Sequence, residues 1–171
     1  MLKAAGIIMI LTSCSLLGFE FAARLKRRRE NLEDIKRGIA MMEREMQFFK
    51  YPLHTVFKRA AQGMAKDSKE LFSNAAEKLE KNSGDAEKVW ESEIEILRTE
   101  LCLSKEEAEK IKCIFSGLGK TDSLSQRKIM ASALENMQII IEECNKICDK
   151  NIKVYQGIGV LLGLFLALVL I

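Results

Sequence analysis

Ser123 to Ile171 reads SLSQRKIMASALENMQIIIEECNKICDKNIKVYQGIGVLLGLFLALVLI. In its first half Met130, Ala133, Met137, Ile140, Cys144 and Ile147 recur at three- and four-residue spacing. On a helix of 3.6 residues per turn that spacing makes one buried stripe. From Ile152 onward the pattern changes. No charge follows Lys153, and a helix over 152–171 reaches about 30 Å, the thickness of a hydrocarbon core. Tyr155 falls where an interfacial aromatic belongs. A buried helix of a soluble protein is the competing reading, but the unbroken apolar run favours a transmembrane helix. One helix that packs a bundle and then enters a bilayer is the expectation that organises the rest of the chain.

The opposite end repeats the theme. Ala4 to Ala23 reads AAGIIMILTSCSLLGFEFAA, with Glu20 about one turn from its end. A carboxylate there reaches headgroups, whereas at mid-bilayer it would cost about 2.5–3.5 kcal/mol. Leu11-Thr12-Ser13-Cys14 resembles a lipoprotein cleavage site, so an exported lipoprotein beginning at Cys14 is the rival. Charge placement opposes it. A signal peptide carries its cations before the apolar core, whereas here Lys3 stands alone in front and Arg24, Lys26, Arg27, Arg28 and Arg29 follow. Lys146, Lys150 and Lys153 likewise precede the second apolar run. By the positive-inside rule both sets hold the intervening chain in the cytoplasm. The expected division is therefore 1–23, an N-terminal transmembrane helix; 24–151, a cytoplasmic helical bundle; and 152–171, a C-terminal transmembrane helix.

Composition agrees. Hydrophobic residues are 48% and charged residues 30% of the 171, with a mean hydropathy of −0.02. That average conceals segregation, because all charges except Lys3 and Glu20 lie between Arg24 and Lys153. Five Val, four Thr and one Pro leave little material for strands. A net charge of +3 does not argue for nucleic acid.

The middle reads as six helices, so the fold class is all-α. Leu32, Ile35, Ile39, Met42, Met46 and Phe49 form the inner stripe of a first helix ended by Tyr51-Pro52. Pro52 to Ala65 makes a second, with Leu53, Val56, Phe57, Ala60, Ala61 and Met64 inward. Asp67 with Glu70, Ser104 with Glu107 and Ser123 with Gln126 have capping-box spacing, and Asp85 can open the helix containing Val89, Trp90, Ile94, Leu97 and Leu101. Asn82-Ser83-Gly84 and Gly119 read as stops.

Catalytic chemistry is sparse, and the chain does not read as an enzyme. No cofactor, metal site or phosphate-cradling glycine loop is legible. His54 is alone. Cys14, Cys102, Cys113, Cys144 and Cys148 lack paired metal-ligand spacing and read as free thiols. Cys144 and Cys148, one turn apart, could form a redox or metal pair, but buried small hydrophobes are the simpler reading. Glu43 and Glu45, or Glu91, Glu93 and Glu95, read as solvated charge, since residues two apart do not face each other on a helix. The Arg24–Arg29 cluster could attract anionic headgroups, although setting topology accounts for it. Gly159, Gly163 and Ala167 put small residues on one face of the second apolar run, suited to close packing against Cys14 and Gly18 or against another copy in a homo-oligomer.

In order along the chain, Gly18-Phe19-Glu20, Pro52-Leu53, Trp90, and Phe115, Leu118-Gly119, Asp122, Gln126 and Ile129 resemble the stage III sporulation protein AB family of endospore-forming bacteria. The basic run after the first apolar segment and the abundance of Met and Cys depart from the family without touching those positions. The resemblance implies a membrane component of the channel between mother cell and forespore. It further implies a cytoplasmic domain similar to the platform proteins of type II secretion and type IV pilus machines. Its partners would be other stage III proteins, including a secretion-type ATPase, and the lipid bilayer. Glu20, Pro52, Trp90, Gly119, Asp122 and Gln126 are then structural or partner contacts, with helix capping the simpler role for the 119–126 segment. A membrane-anchored adaptor or sensor unrelated to secretion is the remaining alternative.

Overall fold

The computed structural model describes residues 2–49, 51–81, 85–116, 118 and 123–170, and within 2–11, 123–127 and 156–170 only some of the side chains. Among the described residues the regular secondary structure is helical, with no strand. Helix α1 runs Leu2–Phe48, α2 Leu53–Ala60, α3 Lys66–Lys81, α4 Ala86–Leu97 and α5 Lys105–Lys112; a 3-10 turn spans Cys113–Phe115, and α6 runs Ser123–Leu170. Two compact units share these helices. One is Glu30–Glu143. The other joins Met1–Arg29 to Cys144–Ile171.

In the larger unit the helical spacing resolves into a common core. Leu32, Ile35, Ile39 and Met42 of α1 are buried, as are Met130, Ala133, Met137 and Ile140 of α6. Phe57 of α2, Phe72 of α3, Trp90 of α4 and Phe115 of the 3-10 turn converge between them, one ring from each of these four short elements. The Trp90 ring lies 4.5 Å from Phe115, 5.5 Å from Phe72 and 6.1 Å from Phe57 between centroids. Such tilted and edge-on arrangements suit aromatic quadrupoles. The Trp90 Nε1–H donates to the Ile111 carbonyl at 2.9 Å, so the buried indole leaves no donor unpaired.

Several expected boundaries move. Helix α2 stops at Ala60 rather than Ala65, because the chain turns through Ala61–Gly63 with Gly63 at φ +84°. Helix α3 begins at Lys66, which puts Asp67 inside the first turn instead of at the cap. The backbone N–H of Ala65 instead donates to the distant Asp34 carboxylate at 3.0 Å. The stripe of α1 ends early, leaving Phe49 exposed and stacked on Tyr51. Asp85 does cap α4, and Ser104 with Glu107 forms a complete capping box on α5. Asn82, Ser83 and Gly84 lie outside the described residues.

One helix end carries no sequence signal. After α4 the Leu103 N–H reaches back to the Arg98 carbonyl and the Cys102 N–H to that of Thr99, both at 3.0 Å. That bonding pattern is a Schellman motif, in which the residue occupied here by Cys102 takes a left-handed conformation, φ 57°. A side chain costs about 1–2 kcal/mol in that conformation and glycine escapes the cost. Cys102→Gly is therefore expected to raise the free energy of unfolding by about 1 kcal/mol, read as a higher denaturant midpoint at unchanged slope.

Buried polar groups also hold the larger unit together. Asn31 donates to the Leu101 carbonyl at 3.1 Å and accepts from the Ser68 hydroxyl at 3.3 Å, linking α1 to α3 and to the turn after α4. Glu93 is buried and ion-paired with Lys78, and buried Glu45 pairs with Arg59 at 2.6 Å. Both carboxylates thus depart from the solvated role expected of them. In each case one member of the run is buried against a neighbouring helix while its i±2 neighbours are not buried.

The smaller unit pairs the start of α1 with the end of α6. The Phe21 ring stacks on Tyr155 with centroids 5.8 Å apart, Cys148 donates to the Leu25 carbonyl at 3.5 Å, and Arg29 meets Asp149 at 3.5 Å. Gly18 and Ala22 are buried. On α6 the buried stripe passes from Cys144 to Cys148 and leaves Ile147 exposed, contrary to expectation, because 3.6 residues per turn carry the face one position onward. Among the described residues no helix is long and apolar enough to cross a membrane.

Candidate functional site

An open groove lies among the described residues of the larger unit. Its volume is about 540 Å³, and Glu109, Lys110 and Cys113 line one side while Asn136, Ile139 and Ile140 of α6 line the other. Ile139 starts a run of three isoleucines. A helix cannot turn three successive side chains the same way, so Ile140 and Ile141 are buried while Ile139 is 50% exposed in the groove. Cys113 is an exposed free thiol in the same wall.

Charge borders the groove. The Lys110 ammonium sits 2.7 Å from Glu143 and 3.0 Å from Glu106. Hydrogen bonds to these two carboxylates raise its pKa above the ordinary lysine value. Lys112 bridges Glu109 at 2.7 Å and Glu95 at 2.5 Å and is raised for the same reason. The hydrogen bond from Lys112, and its charge, hold the Glu95 carboxyl below its ordinary 4.5. A depressed carboxyl stabilises the fold above its unfolded pKa, and that contribution is lost as pH falls through the depressed value. The raised lysines act oppositely, losing their contribution only as pH rises above the ordinary 10.5. Thermal melts are therefore expected to be insensitive to these groups between about pH 5 and 10. The fall in melting temperature from pH 7 to below the ordinary 4.5 of Glu95 should be smaller in Lys112→Gln than in the parent. Glu95 and Lys110 are solvent-exposed and Lys112 is half-buried beside them, so the effect should be small and further reduced by salt.

The singled-out positions do not gather into one pocket. Trp90 is buried at the centre of the aromatic cluster. Pro52 is exposed and occupies the N-cap position of α2, and Glu20 is exposed on α1. Gln126 is half-buried in the first turn of α6. Gly119 and Asp122 lie outside the described residues, as does the Ser123 side chain; Gly159, Gly163 and Ala167 lie within α6, their surroundings likewise outside the description. His54 is half-buried, and Cys144 and Cys148 are buried with sulfurs 3.5 Å apart. Among the described residues no group of three or more His, Cys, Asp or Glu could hold a metal ion. Sequence reasoning passed over the groove. Its one legible signal was the isoleucine triplet, whose odd member had to face outward.

Fold and groove together define an all-α bundle protein with an additional paired-helix unit. Residues 3–171 match the family described as stage III sporulation protein AB. The curated stage III sporulation protein AB of Bacillus subtilis (strain 168) is 30% identical over 170 residues, covering 99% of each chain. A solved structure of a stage III sporulation protein AB superposes with a TM-score of 0.65 at 26% identity, covering 72% of this chain and 97% of the other. The chain belongs to the stage III sporulation protein AB family, and with it to the proteins of sporulation.

Proposed function

We propose that this chain is a non-enzymatic platform subunit, anchored by two transmembrane helices, that holds its bundle in the cytoplasm and docks a secretion-type ATPase within the mother cell–forespore channel complex. The observation that carries the anchoring is the surface of the smaller unit. Met9, Leu16, Leu17, Phe19 and Phe21 of α1 are more than half exposed, and Leu161, Leu164 and Phe165 of α6 are likewise. Two helices cannot bury so much apolar side chain against each other, and water-soluble monomers rarely display it. A bilayer covers it. The hydropathy of 152–171 and the cations flanking both apolar runs support the same orientation.

The orientation is tested with an impermeant maleimide on sporulating cells, the adduct being located by mass spectrometry. Cys113 is exposed and should stay unmodified until the cells are permeabilised; labelling of intact cells would overturn the topology. Docking is assigned to the groove because it combines exposed Ile139 with a charged border. Ile139→Glu should abolish co-purification of the secretion-type ATPase while leaving the bundle's melting temperature within a few degrees of the parent, since the side chain is half exposed. Retained co-purification would exclude this face.

A further inference from the structure

The smaller unit assembles something that neither terminus carries alone. The contacts of Phe21 with Tyr155, Leu25 with Cys148 and Arg29 with Asp149 fix an antiparallel register between α1 and α6. In that register Arg24–Arg29 of α1 and Lys146–Lys153 of α6 lie at the same level. At 1.5 Å per residue both segments fit within a band roughly 10 Å high. Lys146, Lys150 and Lys153 follow i, i+4, i+7 spacing and share one face of α6; Arg24, Arg27 and Arg28 follow i, i+3, i+4 spacing on α1. Arg24, Lys26, Arg27, Lys146, Lys150 and Lys153 are all exposed.

Charge is partitioned accordingly. The smaller unit has nine Lys and Arg against two Asp and Glu, a net of +7, whereas the larger has 18 against 22, a net of −4. The overall +3 conceals this division. Setting topology calls for cations near each apolar run; the pairing of α1 with α6 in addition places the two sets side by side, at the base of the exposed apolar surface and beside the stacked Phe21 and Tyr155.

We propose that this two-helix collar is a binding surface for anionic phospholipid headgroups, whose phosphates it holds at the boundary between the apolar and polar parts of the unit. The proposal rests on the membrane-spanning reading above. Each near-surface cation contributes about fivefold in affinity for an anionic bilayer. Removing the three α6 lysines should therefore weaken retention of anionic lipid about a hundredfold at low salt, less where contributions overlap.

The test uses the purified full chain in non-ionic detergent, titrated separately with phosphatidylglycerol and phosphatidylcholine and read by native mass spectrometry. Selective retention of phosphatidylglycerol is expected. Inorganic phosphate should not displace it, and the Lys146→Gln, Lys150→Gln, Lys153→Gln triple variant should lose it by at least tenfold with its melting temperature unchanged. The α1 cations are left intact, so the parent topology determinants nearest the first apolar run remain. Equal retention of both lipids, displacement by phosphate, or retention unchanged in the triple variant would each overturn the collar. Alkaline carbonate extraction of membranes separates the two readings: a chain that stays in the pellet but shows no lipid selectivity refutes the collar alone, whereas release into the supernatant refutes the spanning helices on which it rests.

Discussion

Trp90→Ala should remove most or all of the stability of the bundle. The indole is fully buried against Phe57, Phe72 and Phe115 and donates to the Ile111 carbonyl. Truncating a buried aromatic of this size costs about 3–5 kcal/mol, because the cavity collapses only partly. Leaving the Ile111 carbonyl without its donor adds about 1 kcal/mol or more. Domains of this size hold only about 5–15 kcal/mol in total. The expected result is a variant that is either unfolded or melts 10 °C or more below the parent, by circular dichroism at 222 nm. Trp90→Phe keeps a ring among the other three and should lose roughly half as much. If Trp90→Ala melted with the parent, the aromatic cluster would not be the centre of the core. Because Trp90 has no exposed surface, any loss of partner binding in these variants should track their loss of stability.

Gly38→Val should be the next most damaging change. Gly38 lies in the middle of α1, where glycine is about 1 kcal/mol worse than alanine on helix propensity alone. A surface glycine there would be improved by substitution. This one is buried, and an added Cβ would lie 2.5 Å from Phe72 Cζ and against the Met64 methyl. Met64 can swing its terminal methyl aside, but the Phe72 ring is wedged between Phe57 and Trp90. Overpacking of this kind costs about 1–3 kcal/mol for modest additions and more for branched ones. Gly38→Ala is expected to be mildly destabilising, the propensity gain offsetting part of the clash, and Gly38→Val to lose about 3 kcal/mol or more. Measured by urea unfolding, a stabilised Gly38→Ala would mean that α1 and α3 can separate at this point without penalty.

These two positions show different degrees of legibility. Trp90 was readable as an inward residue because Ile94, Leu97 and Leu101 continue its stripe. Gly38 read only as an interruption in a helix-forming segment. What makes it necessary is a ring 34 positions later in the chain, and spacing along one helix carries no information about what approaches from another. The same holds for Asp34, which bonds the Ala65 N–H in place of a local cap, and for Glu93, which faces Lys78. Cys102 escaped notice for the opposite reason. Its left-handed turn is one that glycine or asparagine normally advertises, and the chain adopts it without either.

The sequence by itself determined the number and order of the helices, most of their inward residues, two of the caps and the family. Each of these is local, set by 3.6-residue periodicity, by capping side chains a few positions away, or by an ordered string of motifs. Only the tertiary structure decided that four short elements each send one ring to a single cluster, that an isoleucine triplet and Cys113 border one groove, and that Arg24–Arg29 and Lys146–Lys153 share a level. Those are consequences of register between segments as much as 134 residues apart. A helix's periodicity fixes which face it buries; it leaves free how far that helix slides along its neighbour, and contacts such as Phe21 with Tyr155 settle that freedom.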